Sequence, residues 1–241
     1  MTRKRKIIAM VPVRYGSTRV KKKNLRLIDG RPLVSYVLEA LSKTTIFDEV
    51  YLNSEHEIFE EIAHEYGAKF YKREAHLASN TATNDEFAYD FMKNTDGDIL
   101  IQVLATSPLV TPEEIEDFVS EMIKDEKDIL ISVERNQISN FYQGKPLNFN
   151  RLEKNPLSQN MEPVFTYASV MMGWTYKSFI ENMEKFGCAY HGGDKEFHLY
   201  EVNSLATIDI DREEDFQLAE ALLVSRKHMK PVKIQYYGES E

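Results

Sequence analysis

Two groups of residues carry charge in a pattern that chemistry could use. The first lies in VPVRYGSTRVKKKNLRLIDGRPLVSY, Val11 to Tyr36, where seven Lys or Arg fall between Arg14 and Arg31 and no acidic residue precedes Asp29. Gly16 gives this stretch freedom to bend, Ser17 and Thr18 give hydroxyls, and Arg14, Arg19 and Lys23 give cations suited to the oxygens of a polyphosphate. A solvated basic loop is the plainer alternative. The second group is TIDIDREEDF, Thr207 to Phe216. On a strand, Asp209 and Asp211 would share one face with Cα atoms ~6.6 Å apart. Two charges at about that distance repel by roughly 3 kcal/mol at an effective dielectric of ~20. A partly buried pair therefore asks for a cation, and Mg²⁺ takes one or two carboxylates together with substrate phosphates. Asp211 followed by Glu214 also reads as a capping box that opens the last helix and needs no metal.

Two further stretches are weaker signals. LATSPLVTPEEI, Leu104 to Ile115, offers the hydroxyls of Thr106 and Ser107 at a strand end, although both also suit an ordinary turn. REAHLASNTATNDE, Arg73 to Glu86, is a polar run before a helix whose N-terminus would either bind an anion or simply be capped. Neither G-x-x-x-x-G-K-[ST] nor G-x-G-x-x-G occurs, which argues against an ordinary P-loop ATPase or a dinucleotide dehydrogenase.

The elements that must position these residues alternate. Ile7 to Val13 reads as a buried strand, Leu33 to Leu41 has helical apolar spacing behind Pro32, and EVYLNS reads as a second strand, giving one βαβ unit. The pattern predicts a helix from Glu57 to Tyr66, a strand at AKFY, a helix from Asn84 to Lys93, and strands at ILIQVL and DILISV around a helix capped at Thr111. The first 133 residues thus read as a doubly wound parallel sheet, in which ligands bind at the C-terminal ends of the strands. From Asn136 to Pro163 the periodicity fades, while Phe141, Tyr142, Leu147, Phe149 and Leu152 remain, which predicts either a loop or an arm that packs on a second subunit. VFTYASVMMGW then reads as a strand, Ser178 to Phe186 as a helix, LATIDID as the last strand and Glu213 to Val224 as a closing helix.

Composition bounds the rest. The 241 residues fit a single α/β domain, and 39 acidic against 30 basic residues give a net charge of −9, which argues against general affinity for nucleic acid or an anionic membrane. One cysteine, Cys188, excludes an internal disulfide and fits a cytoplasmic setting. No stretch approaches the ~20 apolar residues that span a bilayer.

Taken in order, IIAMVPVRYGSTRVKKKNLRLIDGRPLVSY, REAHLASNTA, TSPLVTPEEI and IDIDREEDFQLAE resemble the acylneuraminate cytidylyltransferase family over about residues 6–224. The resemblance implies a mostly parallel, Rossmann-like nucleotidyltransferase fold with a dimerisation insertion at about 136–163, a homodimer, CTP as co-substrate, Mg²⁺ as cofactor and pyrophosphate as product. It places Arg14 and Lys23 on the triphosphate, with Asn24 and Ser17 beside them, Arg73, Ser79, Thr106 and Ser107 on the nucleotide, and Asp209 and Asp211 on the metal. Arg14, Lys23, Asp209 and Asp211 would then form the catalytic set.

Two departures bear on substrate. Leu104 stands where the family usually has the glutamine of Gln-Pro-Thr-Ser-Pro, and Gln102, two residues earlier, is the nearest replacement. In LSQNMEPVFTYASVMMG, Leu157 to Gly173, arginine is absent and Ala168-Ser169 replaces Asn-Gly, so a sugar carboxylate would lose a contact worth roughly 1.5–3 kcal/mol. Gln159 and Asn160 remain as polar candidates for the acceptor. The expectation is transfer of CMP from CTP to a modified, nonulosonic-acid-like sugar. The alternatives are another NTP with a sugar phosphate, and a non-catalytic nucleotide-binding protein.

Overall fold

The computed structural model describes residues 4–202, 204–228 and 236–237. The elements of the main sheet and its cover are β1 (Ile7–Pro12), α1 (Leu33–Ser42), β2 (Glu49–Ser54), α2 (Ile58–Glu65), β3 (Lys69–Lys72), α3 (Asn84–Asn94), β4 (Ile99–Val103), α4 (Pro112–Lys124), β5 (Ile129–Asn136), β6 (Val164–Thr175), α5 (Tyr176–Phe186), β7 (His198–Glu201) and α6 (Glu213–His228). The seven strands lie in the order β3-β2-β1-β4-β6-β5-β7. All neighbours are parallel except β6, which runs antiparallel to both β4 and β5.

Alternation along β1 builds two cores at once. Ile7, Ala9 and Val11 pack with α1, α2 and α4 on one face of the sheet. Ile8 and Met10 pack with Phe91 of α3 and Phe179 of α5 on the other. Burial on both faces explains why the strand reads as a continuous apolar run. A third cluster, with Val20, Ile28, Leu109, Ile210 and Phe216, ties the loop after β1 to α6. Capping boxes at Thr83 and Thr111 start α3 and α4, with Glu86 and Glu114 reaching back to the cap backbone.

The structure corrects the expected sheet in two places. β5 does not pair with β4, because β6 returns from the far side of the chain and inserts between them. The residues Leu205 to Asp211 form no strand: Leu205–Thr207 is a short 3-10 turn and the rest is irregular, while the last strand of the sheet is β7, seven residues earlier in the chain than Leu205 at its start. The alternation in LATIDID reflects the burial of Ala206 in the main core and of Ile210 against α6, a pattern that periodicity does not distinguish from pairing.

Between β5 and β6 the chain leaves the main sheet. Phe141–Tyr142 and Lys145–Pro146 form a small antiparallel ladder, and Ser158–Asn160 a 3-10 turn. Amide side chains hold this arm in shape. Asn148 donates to the carbonyls of Ile138 and Glu162 at 2.8 and 2.7 Å, and Gln137 donates to those of Gln159 and Met161 at 2.8 and 2.9 Å.

Candidate active site

β1 and β4 are neighbours whose following connections run toward opposite edges of the sheet, β1 to β2 and β4 to β5, and at their C-terminal ends lies a cavity of about 360 Å³. This is the switch point at which open α/β sheets bind ligands. Its charged wall comes from the loop after β1. The Tyr15 backbone N–H donates to Glu55 Oε1 at 2.8 Å, and Asn24 Nδ2 donates to the Arg14 carbonyl at 3.3 Å, so both ends of the loop are tethered. Arg14, Ser17, Thr18, Arg19, Lys23 and Asn24 all line the cavity.

Asp209 and Asp211 face this wall from the segment before α6. The Ile210 N–H donates to the Thr106 carbonyl at 2.9 Å, which lays the segment beside the end of β4, and the Ile210 side chain is fully buried. With Ile210 turned inward, the aspartates on either side both line the cavity without belonging to a strand. Arg19 Nη1 donates to Asp211 Oδ2 at 2.7 Å, while Lys23 Nζ lies 3.6 Å from Asp211 Oδ1 and donates to the Ile210 carbonyl. Burial, more than any neighbour, pushes the Asp209 carboxyl up, with Asp211 adding to the effect and a hydrogen bond from Thr106 opposing it. Burial likewise pulls Lys23 down, against Asp211 and Asp209, which hold it up.

The capping reading of Asp211 fails. Its carboxylate is committed to cations, and Asp215 Oδ2 instead accepts from the Asp211 and Arg212 N–H groups at 3.1 and 2.8 Å. Of the remaining loop cations, Arg26 forks onto Glu213 at 2.6 and 2.7 Å and stacks 4.0 Å from the Phe216 ring, so it braces α6.

The other flank is neutral apart from one buried guanidinium. Arg73 follows β3, is 4% exposed, donates from Nη2 to the Val13 carbonyl at 2.7 Å, and lies 3.7 Å from Glu55 and 5.0 Å from the Phe87 ring. Its Nε and Nη1 are buried without a partner. Arg14 reaches across to donate to Asn80 Oδ1 at 3.0 Å. Asn84 and Phe87, three residues apart on α3, line this flank, and Leu104, Ala105 and Ser169 close it from β4 and β6.

Eight expected residues therefore converge here: Arg14, Ser17, Lys23, Asn24, Arg73, Thr106, Asp209 and Asp211. Five do not line the cavity. Ser107 is fully buried and donates to the Ser169 carbonyl at 3.0 Å, so its hydroxyl shapes the backbone. Gln102 is also fully buried, with Oε1 unpartnered and Nε2 3.4 Å from Asn84 Oδ1, so it lies behind Asn84 and is covered by it. Ser79 turns its hydroxyl to the Ala82 N–H at 3.1 Å, inside its own loop. Gln159 and Asn160 are exposed on the arm. Asn84, Phe87 and Ser169 were not foreseen; Asn84 and Phe87 read as ordinary helix residues, and only the odd pairing Ala168-Ser169 singled out the third.

The donor set suits a hard cation. Asp209 and Asp211 are oxygen donors, and among the described residues no cluster of three or more His, Cys, Asp or Glu competes with them. Two carboxylates with room for substrate phosphates fit Mg²⁺. Asp209 is the better placed, because Asp211 already neutralises Arg19.

A cytidylyltransferase family model matches residues 8–239. The chain is 24% identical over 241 residues to N-acylneuraminate cytidylyltransferase A of Danio rerio, covering 98% of this chain and 53% of that protein. It thus spans about half the length of that curated relative. It is 26% identical over 235 residues to the post-translational flagellin modification protein B of Campylobacter coli, covering 90% and 94%. A solved structure of CMP:2-keto-3-deoxy-manno-octonic acid synthetase complexed with CTP superposes with a TM-score of 0.70 at 14% identity, over 92% of this chain and 99% of that one, which shows a shared fold.

Proposed function

The chain belongs to the cytidylyltransferase family, as a divergent member, and from that premise we propose that it transfers CMP from CTP to a hydroxyl of an acid sugar, releasing pyrophosphate. One observation carries the reading: Arg14, Arg19 and Lys23 line a single cavity together with Asp209 and Asp211 at the switch point of the sheet. The relatives' names, which refer to N-acylneuraminate and 2-keto-3-deoxy-manno-octonic acid, support an acid sugar as acceptor.

In the transfer, the acceptor oxygen bonds to the α-phosphorus as the bond to the β-phosphate oxygen breaks, and the hydroxyl proton passes to solvent. Arg14 and Lys23 bind the departing pyrophosphate and offset its growing charge, while Ser17, Asn24 and Thr106 orient the phosphates. Arg73 holds the nucleoside through its unpartnered N–H groups. Asp209 and Asp211 would hold Mg²⁺, which would supply further charge neutralisation on the phosphate oxygens. No side chain need act as nucleophile.

We assign the enzyme to the cytoplasm and to a homodimer in which the arm, about residues 136–163, packs on a second copy. Exposed Ile138, Phe141, Tyr142, Leu147, Leu152 and Leu157 on one short arm support that assembly.

The test is a pyrophosphate-release screen that crosses CTP, UTP, GTP and ATP with N-acetylneuraminic acid, 3-deoxy-manno-octulosonic acid, a di-N-acetylated nonulosonic acid and a set of sugar phosphates, all with Mg²⁺. Release confined to CTP with an acid sugar is expected. Release with a sugar phosphate, or with another nucleotide in preference to CTP, overturns the assignment.

A further inference from the structure

One residue of the cavity sits in a backbone conformation that its side chain disfavours. Ser169 has φ of 50°, the left-handed region in which a Cβ crowds the backbone and glycine would be unpenalised. It lies in a wide bulge of β6: Tyr167 faces Val133 of β5 and Met172 faces Ile131, so β6 advances five residues while β5 advances two. Two buried hydroxyls pin the bulge. Ser107 donates to the Ser169 carbonyl at 3.0 Å, and Ser132 accepts from the Met171 N–H at 3.0 Å; both serines are at most 1% exposed. The Leu104 N–H, at the end of β4, donates to the Val170 carbonyl at 2.9 Å and closes the third side.

Strained residues persist where the surroundings over-determine them, and they gather at sites where the strain is used. Here the bulge brings Ser169 to the cavity wall, half-buried, with a hydroxyl that makes no hydrogen bond among the described residues. Its place within the cavity selects its ligand. β6 lies on one side of the β1–β4 junction, while β3, which leads into Arg73, lies on the other. A nucleoside at Arg73 leaves the β6 side for the group that attacks the α-phosphate.

We propose that Ser169 is a specificity-determining residue that hydrogen-bonds a hydroxyl of the acceptor sugar, and that the strained bulge clamped by Ser107 exists to aim it. This rests on the transfer reaction proposed above. Serine here exchanges conformational ease for a contact that glycine would lack, and Ser107 acts as a positioning residue beneath it.

Steady-state kinetics with CTP and the acid sugar that the wild type turns over fastest, combined with melting curves, test the proposal on Ser169→Ala, Ser169→Gly and Ser107→Ala. Ser169→Ala and Ser169→Gly should each raise the acceptor KM about 10-fold, the loss of one hydrogen bond, with the CTP KM and the CTP-induced rise in Tm unchanged. Ser169→Gly, freed of the strain, should also melt above Ser169→Ala. Ser107→Ala should raise the acceptor KM and leave the CTP KM alone, a split that general destabilisation would not produce. An unchanged acceptor KM in both Ser169 variants, or a CTP KM that rises in step with it, overturns the proposal alone. A wild type whose Tm does not respond to CTP overturns the transfer reading and this inference together.

Discussion

The two flanks of the cavity are built by opposite means. On the flank of the β1 loop, charge does the work: Arg19 and Lys23 are drawn onto Asp211, Arg26 onto Glu213, and half-buried Asp209 is left as the carboxylate most in need of a cation. On the flank built from α3, β4 and β6, backbone geometry does it. A bulge, a capping box and two fully buried polar side chains, Gln102 and Ser107, set the positions of Ser169 and Asn84. Charged sites tolerate adjustment because long side chains reach for their partners; bulges and short neutral groups do not. The first flank therefore suits a triphosphate, which is the same in every nucleoside triphosphate, and the second suits a group whose shape must be read.

Substitutions at the two flanks should fail differently. The largest effect is expected for Asp209→Asn, which removes the charge of a proposed metal ligand and should lower pyrophosphate release by about 10²–10³-fold or more, with circular dichroism and Tm close to wild type. Arg14→Ala comes next. It loses a charged contact to phosphate but no buried packing, and should cost about 10-fold to 10²-fold in kcat/KM for CTP, read in the same assay.

Acid separates the site from the scaffold. Glu49, on β2, accepts from Lys69 and Tyr51 at 2.8 and 2.6 Å, and the hydrogen bond from Lys69, ahead of that from Tyr51, holds its carboxyl down at about 2. Because the folded value lies below the unfolded value near 4.5, the stabilisation is complete above about pH 4.5 and is lost as pH falls through about 2. It amounts to about 1–3 kcal/mol. The difference in urea midpoint between wild type and Glu49→Gln should be full at pH 6 and shrink, without vanishing, at pH 2.5, with CTP affinity at neutral pH the same in both. The smallest effect is expected for Thr83→Ala, which opens the capping box of α3 and should cost about 1 kcal/mol of stability, read from melting curves.

The same contrast explains what the sequence disclosed. A basic loop at the end of an apolar strand and an Asp-x-Asp near the far end of the chain announce themselves by composition, and their partners in the structure are each other. The strand-helix alternation was legible through DILISV, and again at VFTYASVMMGW and the helices around Ser178 to Phe186 and Glu213 to Val224, because each element buries a continuous or periodic set of apolar residues. The insertion of β6 between β4 and β5 was not, since pairing order depends on contacts between residues that lie far apart in the chain. LATIDID misled for a related reason: Ile210 is buried by the α6 cluster and bonded to Thr106, which produces alternation without a ladder. Gln102 was expected at the ligand because strand alternation gives the correct face, yet Asn84 from α3 stands in front of it. Arm residues Gln159 and Asn160 were chosen for polarity alone, and the fold leaves them on the surface.

The most direct test of the account is the rate of pyrophosphate release from CTP, Mg²⁺ and an acid sugar by the wild type and by Asp209→Asn, with the sugar product identified by mass. A CMP-sugar formed in equal amount to pyrophosphate by the wild type, and a rate at least about 10²-fold lower for the variant, is the predicted result. Equal rates from the two proteins, or pyrophosphate without a CMP-sugar, would contradict it.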